Sequence, residues 1–249
     1  MNTPAGRLVI LSGPSCVGKS PLARALARIH PELRAKLEPV VLYTSRAPRP
    51  GERDAVDFHF RSRTEIESLR TDERYAVLEV RGDVQALDVQ GLCGLLEAKD
   101  ALFEGNPFVG RTLQTHPRLE RIHRVTLFLS PLSAGELRFL RDEARAPLPE
   151  FVGEVMRRKL LRRMRRQHGE LSLRDLEEVE RRAASAYLEL KEAHHYEHVV
   201  PNHDGEDSEN WEAFYYPIGD ARRALLALVS LLRGEVPEGS EHWEADLLP

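Results

Sequence analysis

Arg7-Leu-Val-Ile-Leu-Ser12 leads directly into Gly13-Pro14-Ser15-Cys16-Val17-Gly18-Lys19-Ser20, after which apolar residues recur at Leu22, Ala25, Leu26 and Ile29. The first stretch is short, apolar and β-branched, which reads as a buried strand. The last has helical spacing and stops at Pro31, which cannot continue a helix. Between them stands the pattern G-x-x-x-x-G-K-S. Its glycines let the backbone curl so that successive N–H groups point at phosphate oxygens, and the helix aims its positive end at the same anion. Lys19 supplies a point charge to β and γ phosphates, and Ser20 a hydroxyl for magnesium. Cys16 reads as a small residue offering backbone N–H, and Pro21 falls where the first helical turn has N–H groups to spare. A strand, a phosphate loop and a helix in that order predict an α/β fold of the P-loop NTPase kind.

Composition is consistent with that fold. The 249 residues carry 36 Lys and Arg against 40 Asp and Glu, a formal charge of −4, with 41% hydrophobic residues. Such a chain can bury a sizeable core. The longest apolar run, Ala224 to Leu232, is far short of the roughly 20 residues a spanning helix needs. Met1 to Gly6 has no charged-then-apolar leader pattern, and two cysteines make no disulfide framework, so a cytoplasmic protein is expected.

Outward from the loop, strand signals appear at Glu38–Tyr43, Phe58–Phe60, Tyr75–Val80, Asp88–Val89, Ala101–Glu104, His123–Leu129 and Val199–Asn202. A turn is expected at Gly82-Asp83. Helix signals lie at Arg63–Arg70, at Ala221–Leu232 and in a pair over Gly153–His195 broken near Gly169–Ser172. The alternation predicts a mainly parallel sheet flanked by helices. Gly234 onward reads as a frayed tail.

Thr44-Ser-Arg46-Ala-Pro-Arg49-Pro-Gly51-Glu52 places two arginines three apart in a proline-stiffened loop, suited to bidentate capture of phosphate. Read on through Phe60, this segment closely resembles the acceptor-phosphate loop of the guanylate kinase family. The P-loop text, the order of the two motifs, Glu79-Val-Arg-Gly82, and Arg182, Glu189 and the YEHVVPN ending at Asn202 extend the resemblance over most of residues 7–232. The resemblance implies a P-loop core for ATP with Mg2+, a small domain for GMP, a lid that closes over both, and transfer of the γ-phosphoryl of ATP to GMP. It implies one domain with a core at about 7–43, 98–141 and 196–233, an acceptor subdomain at about 44–97, an enlarged lid at about 142–195 and a tail at 234–249. By position, the resemblance implies that Gly13, Pro14, Ser15, Cys16, Val17, Gly18, Lys19, Ser20 and Asn202 bind ATP. Arg46 and Arg49 hold the acceptor phosphate, with Phe58 and Glu104 beside the acceptor. Lys19, Arg182 and Arg46 carry the catalytic charge, and Ser20 meets the metal.

The departures are informative. Phe58 replaces a tyrosine hydroxyl, Gln85 a second tyrosine, and Asn106 the second acidic residue after Glu104. Ala76, Leu87 and Leu42 replace a glutamate and two serines that read guanine. Phosphate recognition is kept, whereas base recognition is depleted. Two alternatives therefore stand beside a GMP kinase: a kinase for another phosphorylated small molecule, and an ATP-binding module for protein interactions. A pure protein-binding module has no need of Lys19 and Ser20, so their presence favours an enzyme or at least an ATP binder.

The lid holds a dense basic run, Arg157, Arg158, Lys159, Arg162, Arg163, Arg165 and Arg166. Arg165 or Arg166 could reach phosphates on closure. The plainer reading is a solvated face paired with Glu170, Glu177 and Glu178. Nucleic-acid binding is disfavoured by the acidic total and the lack of interleaved aromatics. His194, His195, His198 and His203 lack metal-site spacing. Asn202 to Asp207 is an acidic loop that either contacts adenosine or forms a polar turn.

Overall fold

The computed structural model describes residues 5–49 and 51–249, so Met1–Pro4, most of the stretch read for a leader pattern, and Pro50 of the arginine loop lie outside it. In chain order the elements are β1 (Leu8–Ser12), α1 (Lys19–Ile29), α2 (Pro31–Arg34), β2 (Leu37–Pro39), β3 (Tyr43–Thr44) and β4 (His59–Phe60). Next come α3 (Arg63–Ser68), β5 (Tyr75–Val80), β6 (Asp83–Asp88), α4 (Val89–Leu96), β7 (Asp100–Gly105), α5 (Pro107–Thr115) and β8 (Arg124–Ser130). The chain closes with α6 (Ala134–Arg138), α7 (Leu148–His168), α8 (Leu173–Lys191), β9 (His198–Pro201) and α9 (Gly219–Arg233). The main sheet has the order β2-β7-β1-β8-β9, and β2·β7 and β8·β9 are parallel pairs. This is the mainly parallel α/β architecture expected.

Serine starts three of the helices by the same device. Ser62, Ser133 and Ser172 each accept the backbone N–H of Glu65, Glu136 and Asp175, and those acids reach back to the serine N–H. Each such capping box satisfies two backbone donors that a helix start leaves open.

The chain divides into two compact units. The first comprises the described part of Met1–Ile10 with Lys36–Glu104 and Phe108–Arg124. Its four-stranded sheet, β4-β3-β6-β5, packs Val84 and Ala86 against Ile66 of α3, with Tyr43, Leu69 and Val77 around them. The second comprises Leu11–Ala35, Gly105–Pro107 and Val125–Pro249. Here Phe128 and Tyr196 meet edge-to-face at 5.1 Å in the core, and α7 and α8 lie side by side.

Five expectations need correction. The run Glu38–Tyr43 is not one strand: β2 ends at Pro39, which cannot donate to a ladder, and Tyr43 belongs to the small sheet. The hairpin turn is Arg81-Gly82, one residue earlier than read, because both residues adopt positive φ (54° and 82°), as a tight two-residue turn requires. β6 therefore spans Asp83–Asp88, and Val89 opens a helix whose first turn is capped by Asp88 accepting from Gly91 N–H at 2.7 Å. The first of the two long helices starts at Leu148, five residues before the expected Gly153.

The largest correction is the tail. Instead of fraying, it adds an antiparallel bridge to β9: Val199 N–H donates to Glu241 O at 2.8 Å and Glu241 N–H to Val199 O at 2.7 Å. Trp243, Leu247 and Leu248 are buried, and Tyr187 and Lys191 of α8 donate to Pro249 O at 2.7 and 2.9 Å. Burying these apolar side chains outweighs the ordering of a short segment.

Candidate functional site

In the second unit the segment Gly13 to Ser20 turns tightly between β1 and α1. Cys16 takes a left-handed φ of 66° and Gly18 a φ of 106°. Gly18 has to be glycine twice over, since a Cβ there would lie 2.6 Å from Asn202 Nδ2 and 2.9 Å from Asp204 O. Lys19 is buried, and its Nζ donates to Gly13 O and Pro14 O, each at 2.8 Å. The ammonium thus lies across the loop it belongs to. Burial pushes the Cys16 thiol up to about 12, so the residue is no nucleophile at neutral pH.

Asn202 is fully buried and fastens this loop from behind, donating from Nδ2 to Val17 O at 2.7 Å and to Asp204 O at 2.8 Å, while its Oδ1 accepts no hydrogen bond. Arg182 is buried on α8 and ion-pairs with Glu178. Further along α8, Glu189 Oε1 accepts from Ser185 Oγ–H at 2.8 Å and from Asn106 Nδ2 at 3.0 Å. Glu189 is itself fully buried. Glu178, Arg182, Ser185 and Glu189 therefore form one polar stripe of α8, which ends on Asn106 just past β7.

In the first unit Arg46 and Arg49 converge on Glu52. Arg46 Nη1 and Nη2 donate to the two carboxylate oxygens at 2.7 and 2.6 Å, and Arg49 donates its backbone N–H at 2.8 Å. The second Nη1 hydrogen of Arg46 goes to Ala47 O at 2.9 Å. A guanidinium has five N–H donors, and the three bonds of Arg46 engage both Nη1 hydrogens and one on Nη2. The ring of Phe58 lies 4.8 Å from the guanidinium carbon and that of Phe60 5.6 Å. Phe58 cannot donate a hydrogen bond, yet it fixes the plane of Arg46 by stacking. Glu104 is half-buried near the end of β7.

The positions where the family resemblance implies base-reading groups form one feature. Ala76 pairs with Leu87 across β5·β6, and the Tyr43–Ala86 pairing of β3·β6, carried on one residue, sets Leu42 opposite Leu87. Leu42 and Leu87 are buried. An apolar row thus runs from Ala76 of β5 through Leu87 of β6 to Leu42, just before β3, where hydroxyls and a carboxylate are expected.

The basic run of α7 is not paired as read from sequence. Arg157 bonds Glu154 and Glu180, whereas Lys159, Arg162, Arg163 and Arg166 meet Asp207, Glu206 and Glu209 of the loop after β9. Glu170 and Glu177 take no part in these pairs, and Glu178 binds Arg182 and Arg181. Among the described residues no group of three or more His, Cys, Asp or Glu could hold a metal ion.

His203 follows Asn202 and bridges two acids, with Nδ1 2.5 Å from Asp220 and Nε2 3.0 Å from Glu136. Burial opposes its charging, but the Asp220 hydrogen bond and the Glu136 charge outweigh burial and raise its pKa. Burial likewise opposes charge on the acids, yet hydrogen bonds from Ser133 hold Glu136 low and those from Arg223 and His203 hold Asp220 low. Raised histidine pKa stabilises the fold below about 6.5, and that stability is lost as pH climbs through the folded value. The acids contribute stability that is lost as pH falls through their depressed values. His203 is half exposed, so screening holds its contribution to about 1 kcal/mol. The melting temperature is expected to drop by about 2–4 °C as pH rises past the His203 pKa. In His203→Gln this step should vanish, and equal slopes in both proteins would refute it.

The family model for guanylate kinase matches residues 5–81. A guanylate kinase of Corynebacterium diphtheriae is 33% identical over 217 residues, covering 82% of this chain and 91% of its own. One of Rhodococcus jostii is 31% identical over 239 residues, covering 95% and 91%. The chain belongs to the guanylate kinase family. A crystal structure of guanylate kinase from Anaplasma phagocytophilum shares the fold, with a TM-score of 0.50 and 21% identity over 81% of this chain and 79% of the other. The guanylate kinase family model ends at the hairpin turn, one residue before Gly82 and β6, which carries Gln85 and Leu87. No described helix is long and apolar enough to cross a membrane.

Proposed function

We propose that this protein transfers the γ-phosphoryl group of ATP to GMP, giving ADP and GDP. The observation that carries the reading is a complete phosphate loop, with Lys19 buried at the start of an 11-residue helix, in a chain at least 30% identical to guanylate kinases over most of its length. Lys19 neutralises the donor phosphates, and the loop N–H groups bind them with no covalent intermediate. Arg46 and Arg49 hold the acceptor phosphate, Arg46 through the side-on fork of Nε and Nη2. Arg182 stabilises charge on the transferring group, held by Glu178, and Asn202 keeps the loop in shape. Ser20, half-buried beside Lys19, fits a magnesium ion that arrives with the nucleotide, since Mg2+ takes few protein ligands and the rest from phosphate and water. The ion would neutralise phosphate charge.

The apolar row Leu42–Leu87–Ala76 favours a second reading of the acceptor site, in which the phosphate is gripped and the base is weakly read. A site without buried polar partners leaves little unpaired when the wrong base enters. ADP release measured with GMP and AMP decides between the readings. Activity with GMP is expected, with a kcat/KM preference over AMP below about tenfold. A preference above about 10³-fold would put polar base recognition elsewhere in the site, because a hydrogen-bonding pocket discriminates by about 10⁴–10⁵. No ADP release with any monophosphate would defeat the kinase reading itself.

A further inference from the structure

Lys159, Arg162, Arg163 and Arg166 are spaced three and four apart on α7 and so share one stripe. The whole stripe lies on the acidic loop that follows Asn202. Lys159 Nζ donates to His203 O at 2.5 Å and stands 3.9 Å from Asp207 Oδ1. Arg162 is 3.6 Å from Asp207 Oδ2, Arg163 is 2.6 Å from Glu206 and Arg166 is 3.2 Å from Glu209.

The other side of the same loop is bonded to the phosphate loop. Glu206 N–H donates to Cys16 O at 3.2 Å, and a Cβ on Gly205 would lie 2.3 Å from Cys16 O and 3.3 Å from Lys159 Nζ. Lid helix, acidic loop and phosphate loop are therefore connected in series. The Cys16 thiol lies within reach of the same charges: besides burial, Glu206 pushes its pKa up, Arg163 down, Asp207 up and Lys159 down.

Asp207 is poorly satisfied for a carboxylate only 7% exposed: Oδ1 accepts no hydrogen bond. A buried carboxylate paired only at long distance keeps much of its desolvation cost. It holds its cations without binding them tightly.

We propose that Glu206 and Asp207 hold lid cations that the phosphates of ATP also attract, so that nucleotide binding is an exchange of partners by Lys159, Arg162 and Arg163. The proposal rests on the phosphate loop being the ATP site. It makes the acids and the bases act with opposite sign. Neutralising the acids frees the cations and removes negative charge from beside the phosphates, whereas neutralising Arg163 removes attraction.

The test is ATP titration by calorimetry on the full chain, with GMP binding measured alongside. Glu206→Gln/Asp207→Asn is expected to bind ATP at least threefold more tightly than the unaltered protein. Arg163→Gln should bind it at least threefold more weakly, and GMP affinity should not follow either change. Acid variants that bind ATP equally or more weakly overturn the exchange and leave a purely structural brace. Should the double variant melt at the assay temperature, Arg163→Gln decides alone, and unchanged ATP affinity overturns the proposal. Absence of ATP binding by the unaltered protein is a different result, because it removes the ATP-site reading on which the exchange depends.

Discussion

Replacing Lys19 by alanine is expected to lower the rate of phosphoryl transfer at least about 10³-fold while the chain still folds. Lys19 is 9% exposed, and its ammonium donates hydrogen bonds to two backbone carbonyls of its own loop. Their loss costs about 1–2 kcal/mol of stability, which lowers the melting temperature by several degrees and leaves the protein folded at assay temperature. The loss in chemistry is larger. A single preorganised charge at transferring phosphoryl oxygens is worth roughly 3–4 kcal/mol or more, because it acts where water is excluded and needs no reorganisation. Lys19→Arg keeps the charge but brings a planar fork to a place shaped for a point donor, so it should recover little activity. The measurement is the ADP-release rate at saturating ATP and GMP, with thermal melts of the same preparations. A rate within about threefold of the unaltered protein would remove Lys19 from the chemistry.

The phosphate loop and the arginine loop are legible in the sequence for one reason: their chemistry lies in contiguous residues. Gly18 must be glycine because Asn202 and Asp204 press on it, but the pattern G-K-S announces the turn without knowledge of that neighbour. The pairing of α7 is different. Nothing near Arg163 in the chain marks Glu206 as its partner, 43 residues on, and closer acids such as Glu170 offer a plausible helical pair that the fold does not use. Trp243, Leu247 and Leu248 gave a weak signal of the same kind. Three large apolar side chains in an otherwise polar tail ask for a surface, but no local pattern says that β9 and α8 supply it. The hairpin turn was displaced because Arg81 takes a left-handed φ that sequence reasoning assigns to glycine. Glu52 belongs to the quoted arginine motif, yet its bidentate hold on Arg46 appears only in three dimensions.

Arg46→Ala is expected to raise the KM for the acceptor by about 10- to 100-fold with little change in ATP affinity. Arg46 makes a two-pronged bond to Glu52 and lies over Phe58, which leaves Nε and the second Nη2 hydrogen as the fork proposed for the acceptor. A phosphate bound at that fork gains two parallel charge-assisted hydrogen bonds, worth about 1.5–3 kcal/mol. Two companion variants separate this from general damage to the loop. Arg46→Lys keeps the charge but can neither fork nor stack, so its KM should lie near that of alanine. Glu52→Gln keeps the arginine and weakens the group that orients it, so the KM should rise by only about three- to tenfold. If the arginine acted merely as bulk charge, lysine would restore binding and the Glu52 variant would bind the negatively charged acceptor better. The order expected is therefore unaltered protein, then Glu52→Gln, then Arg46→Lys and Arg46→Ala together. Equal loss of ATP and acceptor affinity in Arg46→Ala would mean that this arginine forms no separate acceptor site, and the phosphate loop alone would have to account for both substrates.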